Sequence, residues 1–164
     1  MDTQQELLLQ HRVQQFVYQE VRLLDEQRWS DWEALFAEGG TYWAPAAHDQ
    51  PDPVQHVSLI FEDALLRKVR QQRFKHPNAF SLQPFPRTSH LVSNVMIDEA
   101  DDERGTMTVS ARFLMHEYRL DVPVAFAGAY RYELEQSVGT WLIQQKKATL
   151  VNCEGALPSS AIYF

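Results

Sequence analysis

The sequence predicts an α+β fold in which N-terminal helices pack within a curved, mostly antiparallel sheet. Three observations support this class: helical periodicity is confined to the first half of the chain, strand alternation fills the second half, and short turns separate the strands. Strands joined by short turns form a meander. No repeat, low-complexity tract or linker interrupts these patterns, so we expect a single domain over residues 1–164.

Two helices are predicted before the first strand. The first is long and amphipathic, because apolar residues recur at spacings of three and four: Leu9, Val13, Phe16, Val17, Val21 and Leu24. Ser30 and Glu33 match the S-x-x-E capping box just ahead of an apolar run, which predicts that a second, short helix begins there. The Gly39-Gly40 pair would end this helix.

An aromatic segment at residues 41–44 has strand character and is followed by Pro45. A loop rich in Pro, Asp and His then extends to about Pro53. We therefore expect this strand at an edge of the sheet or at the mouth of a pocket.

A third helix is predicted from the four-residue spacing of Phe61, Leu65 and Val69. Its end carries five of the 15 cations of the chain: Arg67, Lys68, Arg70, Arg73 and Lys75. Such a run could bind an anion or a partner, but cations near a helix C-terminus also complement its dipole and solvate its outer face. The second interpretation is the commoner one, and the sequence does not decide between partner and solvent.

Residues 87–97 alternate as a strand with two partly apolar faces. One face carries Ser89, Leu91, Ser93, Val95 and Ile97. The other carries Thr88, His90, Val92, Asn94 and Met96. The acidic residues 98–103, ahead of Gly105, predict an exposed hairpin turn rather than a binding tail, because strand patterns flank them closely.

The clearest alternation lies between residues 107 and 116. One side carries Met107, Val109, Ala111, Phe113 and Met115, and the other carries Thr108, Ser110, Arg112 and His116. This pattern is typical of a half-buried antiparallel strand. Turns at residues 121–123 and 137–139 predict two further strands, the last of which extends to Val151.

Composition excludes several functional classes. The net charge of -7 disfavours non-specific attraction to nucleic acid. The single Cys153 cannot form an internal disulfide or supply the thiolate set of a zinc or iron–sulfur site. No apolar stretch approaches the ~20 residues of a membrane span, and the acidic, polar N-terminus lacks a signal-peptide pattern. We expect a cytoplasmic protein that binds neither nucleic acid nor membrane.

Sequence motifs for catalysis are scarce. The six histidines include no close pair at helix-turn spacing, so we expect no metal site on this chain. The sequence contains no G-x-S-x-G, P-loop or G-x-G-x-x-G motif. Glu154 beside Cys153 would raise the pKa of the thiol, which argues against a catalytic cysteine.

General acid–base chemistry in an enclosed pocket is the remaining catalytic option. Its candidates are polar residues expected to point inward: Asp25, Tyr42, His90 and Arg112. In this interpretation His90 is a base oriented by the Asp25 carboxylate, and Tyr42 holds a substrate oxygen. In the other interpretation, which the sequence favours, Asp25 and His90 form a structural hydrogen-bonded pair that secures the helix against the sheet.

Several segments, in this order and spacing, resemble the small (beta) subunit of aromatic-ring-hydroxylating dioxygenases. They are E-V-R-L-L-D at residues 20–25, W-x-x-W-E-A-L-F at 29–36, Y-W-A-P at 42–45, S-L-I-F-E-D at 58–63, R-T-S-H-L-V-S-N-V at 87–95, and the closing residues 152–164. The R-T-S-H-x-x-S-N-V string is the most specific piece. The resemblance covers nearly the whole chain.

This resemblance implies a cone-shaped, SnoaL-like barrel and the role of a non-catalytic beta subunit in a Rieske non-haem iron dioxygenase. In that family the large (alpha) subunit holds the Rieske [2Fe-2S] cluster and the mononuclear Fe(II). The resemblance therefore implies no catalytic residue, cofactor or metal on this chain. It also implies a hetero-oligomer of three alpha and three beta chains, with homotrimer contacts among the beta chains.

The implied reaction is cis-dihydroxylation of an aromatic substrate in aromatic hydrocarbon catabolism, with a benzoate-type acid as the closest match. Electrons would come from NAD(P)H through ferredoxin and reductase components, and the isolated chain would be inactive. The alternative is a free-standing SnoaL-like dehydratase or isomerase that uses His90 and Asp25 as an acid–base pair. A plain ligand-binding or scaffold cone is the third alternative.

Overall fold

The computed structural model describes residues 2–160 and 162–164. Over these residues it contains three α-helices, a 3₁₀ turn at Phe80–Leu82 and six strands. The helices are α1 (Thr3–Asp25), α2 (Trp29–Glu33) and α3 (Ala64–Lys75). The strands are β1 (Phe36–Pro45), β2 (Ser58–Glu62), β3 (Arg87–Asp101), β4 (Thr106–Arg119), β5 (Val122–Ser137) and β6 (Thr140–Leu150).

The six strands form one sheet in the order β2-β1-β6-β5-β4-β3. β1 and β6 run parallel, and every other neighbouring pair is antiparallel. α1 packs against the sheet at β3, and the core lies between the helices and this inner face of the sheet. The predicted α+β class, with N-terminal helices packed on a curved, mostly antiparallel sheet, is confirmed.

α1 has the amphipathic pattern that the sequence predicts. Asp2 caps its first turn: the Asp2 carboxylate accepts from the Gln5 backbone N–H, and the Gln5 side chain accepts from the Asp2 N–H. The apolar stripe is buried from Val13 onward, and Val17 is fully inaccessible. Neither α1 nor another helix among the described residues combines the length and apolar character needed to cross a membrane.

The second helix begins earlier than the capping box predicts. α2 starts at Trp29, and its N-cap residue Arg28 makes no side-chain capping bond. Trp29 and Trp32 are both buried in the core. The packing of these two rings, rather than local capping at Ser30, therefore sets the position of the helix.

β1 replaces the expected second half of that helix. It starts at Phe36 and passes through Gly39 and Gly40, so these glycines do not end a helix. A Cβ on Gly40 would lie 2.5 Å from the Ile143 carbonyl oxygen, so this glycine permits the close approach of β6. The strand predicted at residues 41–44 exists, but its expected position at an edge is wrong, because β2 covers one side and β6 the other.

The third helix exists, but the residues that it buries differ from the predicted ones. The sequence does not predict β2, and Phe61 belongs to that strand. The Asp63 side chain caps α3. Leu65 and Val69 are exposed, whereas Arg67 is fully buried. Local periodicity misassigned the face because the inward arginine has charged partners that only the folded chain brings to it.

β3 contains an irregularity that the alternation pattern misses. Asn94 has a positive φ of 53°, and the pairing with β4 shifts between Ser93 and Met96. Before this bulge the His90 side chain faces inward; after it Val95 is buried and Met96 is 60% exposed. The predicted sharing of one face by His90 and Met96 is therefore wrong, since a bulge changes which residues point inward.

The remaining strands follow the prediction closely. The alternating apolar residues of β4 lie on the inner face, and Val109 and Met115 are fully buried. β3 continues to Asp101, so the first part of the acidic run is strand and the turn lies at residues 102–105. The meander formed by β3 to β6 has the predicted antiparallel pairing.

Candidate functional site

Asp25 and His90 meet where the end of α1 passes the start of β3. Nδ1 of His90 lies 2.6 Å from Oδ1 of Asp25, and the His90 backbone N–H donates to Oδ2 at 2.9 Å. The Thr88 hydroxyl also donates to Oδ1, at 2.8 Å. The structure therefore brings the two candidate residues together in a contact that joins helix and sheet.

The protonation of this pair follows from its hydrogen bonds. Burial acts to raise the pKa of Asp25, but the hydrogen bonds and charge of His90 and the Thr88 bond outweigh burial, so the pKa lies below its ordinary value. A carboxylate only accepts hydrogen bonds, so Nδ1 of His90 carries a proton. Nε2 is buried without a hydrogen-bond partner among the described residues. The carboxylate orients the His90 ring, and Nε2 makes no hydrogen bond among the described residues. These two features fit a general base as well as a structural pair.

Asp25 and His90 do not line the cleft that lies beside their neighbour Thr88. A cleft of about 10 Å³ adjoins Thr88, which is room for about one water molecule. It is lined by Leu24, Gln27, Trp29, Phe85, Pro86, Thr88, Ile162 and Tyr163. Four larger surface clefts are not lined by Asp25 or His90. The cleft beside Thr88 is too small for an organic substrate.

The other two candidates do not join this pair. Tyr42 is fully buried, but its hydroxyl donates to the Phe164 carbonyl at 3.0 Å and accepts from the Phe164 N–H at 2.9 Å. Burial raises the pKa of Tyr42 far above its ordinary value. Arg112 is exposed and lies opposite Ala129 on the outer face of the sheet. Its expected inward position is wrong, because it alternates with the inward Phe113.

A second buried polar group, which the sequence analysis missed, lies deeper in the interior. The Lys146 ammonium is 2.9 Å from both carboxylate oxygens of Glu20, and both side chains are completely buried. The Glu20 carboxylate also accepts from the Trp32 indole N–H at 2.5 Å and from the Tyr132 hydroxyl at 3.1 Å. The signal was present, because Lys146 alternates in phase with the buried Ala148 and Leu150 of β6.

Burial of this group shifts the pKa values of Lys146 and of the neighbouring Tyr130. Burial lowers the pKa of Lys146, and the Glu20 carboxylate acts in the opposite direction. The ammonium also lies 4.2 Å from the centre of the Tyr130 ring. Burial and the Glu20 charge together raise the pKa of Tyr130. An ion pair with this many hydrogen bonds is suited to joining α1 and β6 in one geometry.

The basic run of α3 divides into two parts. Arg67 and Arg70 turn inward: Arg67 pairs with Glu33 at 2.7 Å and lies over the Phe36 ring, and Arg70 donates to Glu62 at 2.6 Å. The other three cations, Lys68, Arg73 and Lys75, are exposed. From the sequence, this run is interpreted as an anion- or partner-binding surface or as a solvated helix face. Neither interpretation includes the inward ion pairs of Arg67 and Arg70.

Metal-ligating side chains do not converge in the described part of the chain. Over residues 2–160 and 162–164 no group of three His, Cys, Asp or Glu side chains could hold a metal ion. Cys153 is buried, and burial together with the Glu154 charge raises the pKa of its thiol. A raised thiol pKa disfavours the nucleophilic thiolate.

Sequence comparison gives one consistent family. Residues 19–154 match the family model described as the ring hydroxylating beta subunit. The chain is 31% identical to the 2-halobenzoate 1,2-dioxygenase small subunit of Burkholderia cepacia, with 84% of this chain and 85% of that protein covered. It is 33% identical to a benzene 1,2-dioxygenase subunit beta of Pseudomonas putida, with 79% and 73% covered.

Structural comparison agrees with this. The beta subunit of the benzoate 1,2-dioxygenase from Burkholderia mallei superposes with a TM-score of 0.72 and 28% identity, covering 85% of this chain and 89% of that one. An NTF2-like protein with a cystatin-like fold from Novosphingobium aromaticivorans superposes with a TM-score of 0.64 and 12% identity, covering 91% and 86%. The second likeness concerns the fold alone.

Proposed function

Because the chain belongs to the family of ring-hydroxylating dioxygenase beta subunits, we propose that it supports assembly of an oxygenase that cis-dihydroxylates a benzoate-type aromatic acid. It is the small subunit of a multicomponent dioxygenase, and a large alpha subunit is its partner. We further propose an assembly of three alpha and three beta chains in the cytoplasm, with contacts among the beta chains.

The iron chemistry belongs to the partner in this proposal. The large subunit binds the Rieske [2Fe-2S] cluster and the mononuclear Fe(II), and electrons reach it from NAD(P)H through reductase and ferredoxin components. The supporting observation is chemical: the described residues of this chain offer no convergent set of His, Cys, Asp or Glu ligands. The purified chain alone is therefore expected to be colourless and free of stoichiometric iron.

The observation that carries the structural role is the filled interior. Between the helices and the inner face, the space is occupied by the chain's own rings and by the Glu20–Lys146 ion pair. The cleft beside Thr88, the hydrogen-bond partner of Asp25, is about the size of one water molecule. Buried, mutually bonded groups of this kind hold a scaffold in shape rather than bind a substrate.

The proposed substrate class is inferred from the substrates of similar dioxygenases. A 2-halobenzoate enzyme and a benzoate enzyme are among them, and so is a benzene enzyme at similar identity. The test is to produce this chain with its large subunit, add the electron-transfer proteins, and measure NAD(P)H-dependent cis-diol formation from benzoate and benzene. The proposal predicts diol from benzoate at a higher kcat/KM. Exclusive turnover of benzene would overturn the substrate class.

One observation supports the second candidate function, a dehydratase or isomerase that uses His90 as a general base. The buried Nε2 of His90 has no partner among the described residues, and Asp25 orients the ring, which is the arrangement of a general base. In this alternative the isolated chain dehydrates or isomerises a small substrate without metal. Assays of His90 variants separate the two functions, as argued below.

A further inference from the structure

Helix α3 exposes an apolar surface. Its inner side is buried through Arg67 and Phe74, whereas Leu65, Leu66 and Val69 are 69%, 49% and 46% exposed. Residues three and four apart lie on the same side of a helix, so these three side chains form one group. Large apolar side chains grouped on an exposed helix are typical of a surface that packs into a groove of another protein.

Three exposed cations accompany this apolar group: Lys68, Arg73 and Lys75. Arg73 lies one helical turn after Val69, and Lys75 lies two turns after Lys68, so all three share the exposed side of α3. None of the three forms an ion pair with another described residue, whereas the inward Arg67 and Arg70 do. We call the exposed side chains of residues 65–75 the basic helix face.

The complementary combination, an apolar cleft with acidic residues around it, lies between α1 and β3. The cleft has a volume of about 370 Å³, and its apolar lining consists of Leu7, Leu9, Ile97 and Ala100. Five exposed acidic residues lie in or next to it, and none of them pairs with a cation among the described residues: Glu6, Asp98, Glu99, Asp102 and Glu103. Arg104, in the adjacent turn, pairs with Asp101 at 3.5 Å. We call the cleft and these five acidic residues the acidic groove.

The two surfaces belong to opposite edges of the sheet. α3 follows β2 and packs on β1 and β2, whereas the acidic groove adjoins β3. β2 and β3 are the first and last strands in the order of the sheet. The helix of one chain therefore lies far from its own groove, but it can reach the groove of a second copy. A contact between two different patches repeats head to tail and can close into a ring.

We propose that the acidic groove binds the basic helix face of a second copy of this chain, and that three such contacts close the beta-chain trimer. The inference rests on the proposed contacts among beta chains and assigns them to particular surfaces. Apolar side chains meet in the middle of this contact, and cations meet carboxylates around them. A second copy is the occupant because one chain carries both complementary surfaces, whereas two copies of net charge -7 repel each other as wholes.

The test reverses the charge of each surface and then of both. The helix variant of the full chain carries Lys68→Glu and Arg73→Glu, the groove variant carries Glu6→Lys and Glu99→Lys, and the swapped variant carries all four changes. Light scattering gives their masses at a concentration at which the unaltered chain is a trimer of 19.1 kDa units. The helix and groove variants are expected to be monomers, because like charges then meet. The swapped variant is expected to be a trimer again, because every contact once more joins opposite charges.

The matched control changes the net charge by the same amount elsewhere. Arg112→Glu with Arg131→Glu alters two exposed residues on the outer face of the sheet and is expected to leave the trimer intact. Trimers of the helix and groove variants would overturn the proposal, and so would a swapped variant that stays monomeric. Loss of the trimer in the control would also overturn it, because a charge change outside both surfaces would then have the same effect.

The result can be separated from the proposed function. If the unaltered chain is a monomer by itself, the same variants are produced with the large subunit and the fraction of hexamer is measured. A fraction that falls in the helix and groove variants and recovers in the swapped variant supports the proposal, and an unchanged fraction contradicts it. Formation of the cis-diol by the unaltered complex tests the proposed function independently of these surfaces.

Discussion

At the residue scale, Asp25 and His90 are the side chains whose role depends most on what surrounds them. The Asp25 carboxylate accepts from the Thr88 hydroxyl and from two nitrogens of His90. Without the imidazole, Oδ1 of Asp25 would lose its hydrogen bond from Nδ1 of His90. If the pair is structural, removing the His90 side chain weakens the contact between α1 and β3 and lowers stability. If His90 is a general base, its removal lowers turnover instead.

The first prediction concerns His90→Ala. If the pair is structural, the free energy of unfolding falls by about 1 to 3 kcal/mol because Asp25 loses a buried partner. The yield of assembled complex falls with it, while turnover per iron-loaded complex stays near that of the unaltered protein. His116→Ala, on the exposed side of β4, is the matched control and should change neither quantity.

The two measurements are made on one preparation: hexamer fraction by mass, and activity normalised to iron content. A stable, fully assembled variant whose turnover falls by about two to four orders of magnitude would overturn the structural role. Such a result would indicate that His90 acts in the reaction of the complex rather than in its assembly.

The second prediction concerns the pH dependence that Asp25 contributes. Its pKa in the folded protein lies below the ordinary value of 3.8. The unfolded chain therefore binds the proton more readily, so this stabilisation is complete above the unfolded pKa and is lost as pH falls through the folded pKa. Asp25→Asn should lower the free energy of unfolding by about 1 to 3 kcal/mol at pH 7.

The difference between the two proteins should then narrow as pH falls below about 4. Urea unfolding at pH 7 and at pH 3 measures it. A gap of constant size across this range would show that the ionised carboxylate is not the source of the stabilisation.

At the element scale, the Glu20–Lys146 pair connects α1 to β6. Both partners are wholly buried, and Glu20 also accepts from Trp32 on α2 and Tyr132 on β5. One carboxylate therefore connects four elements. Removing only the lysine leaves a buried charge without a partner, which costs more than removing both charges.

The third prediction uses this asymmetry. Lys146→Met should lower the free energy of unfolding by about 3 to 5 kcal/mol. The double variant with Glu20→Gln should be more stable than Lys146→Met alone, because a neutral amide replaces the unpaired carboxylate. Lys147→Met, at the next and partly exposed position, is the control and should change stability by less than about 1 kcal/mol.

Chemical denaturation of the unaltered protein, of the single variants Lys146→Met and Glu20→Gln and of the double variant measures the coupling between the two positions. Additive losses, with the double variant less stable than either single variant, would contradict a tightly coupled buried pair.

At the scale of the whole molecule, the outer face of the sheet remains apolar in places. Leu91 and Leu114 are directly opposed across β3 and β4 and are 60% and 39% exposed. Leu120 and Val122, at the turn between β4 and β5, are also exposed. The 19 aromatic residues contribute little to this surface, because most of them are buried. Large apolar side chains exposed on the face of a sheet, as Leu91 and Leu114 are, are typical of surfaces that contact other chains.

The fourth prediction is therefore the size of the assembly. The chain alone is expected to form a trimer of its 19.1 kDa units, and the chain produced with its large subunit is expected to form a hexamer of both. Light scattering on the two preparations measures the masses. A monodisperse monomer in both would contradict the prediction.

The sequence by itself determined the class of fold, the long first helix, and the meander from β3 to β6. These features depend on periodicity within one segment, which a period of 3.6 or 2 shows without knowledge of its neighbours. The resemblance to the beta-subunit family rested likewise on local strings, above all R-T-S-H-x-x-S-N-V, and the family assignment is confirmed.

Only the tertiary structure decided which face of each element is buried and which charges meet. The Asn94 bulge changes the inward side of β3, Arg67 is buried because Glu33 lies beside it, and Lys146 is buried against Glu20, 126 positions away. The physical reason is that each outcome depends on a second element. A buried charge is tolerated only when other residues supply its partners, and the bulge is a feature of the pairing of β3 with β4. Residues far apart in the sequence become neighbours only after the chain has folded.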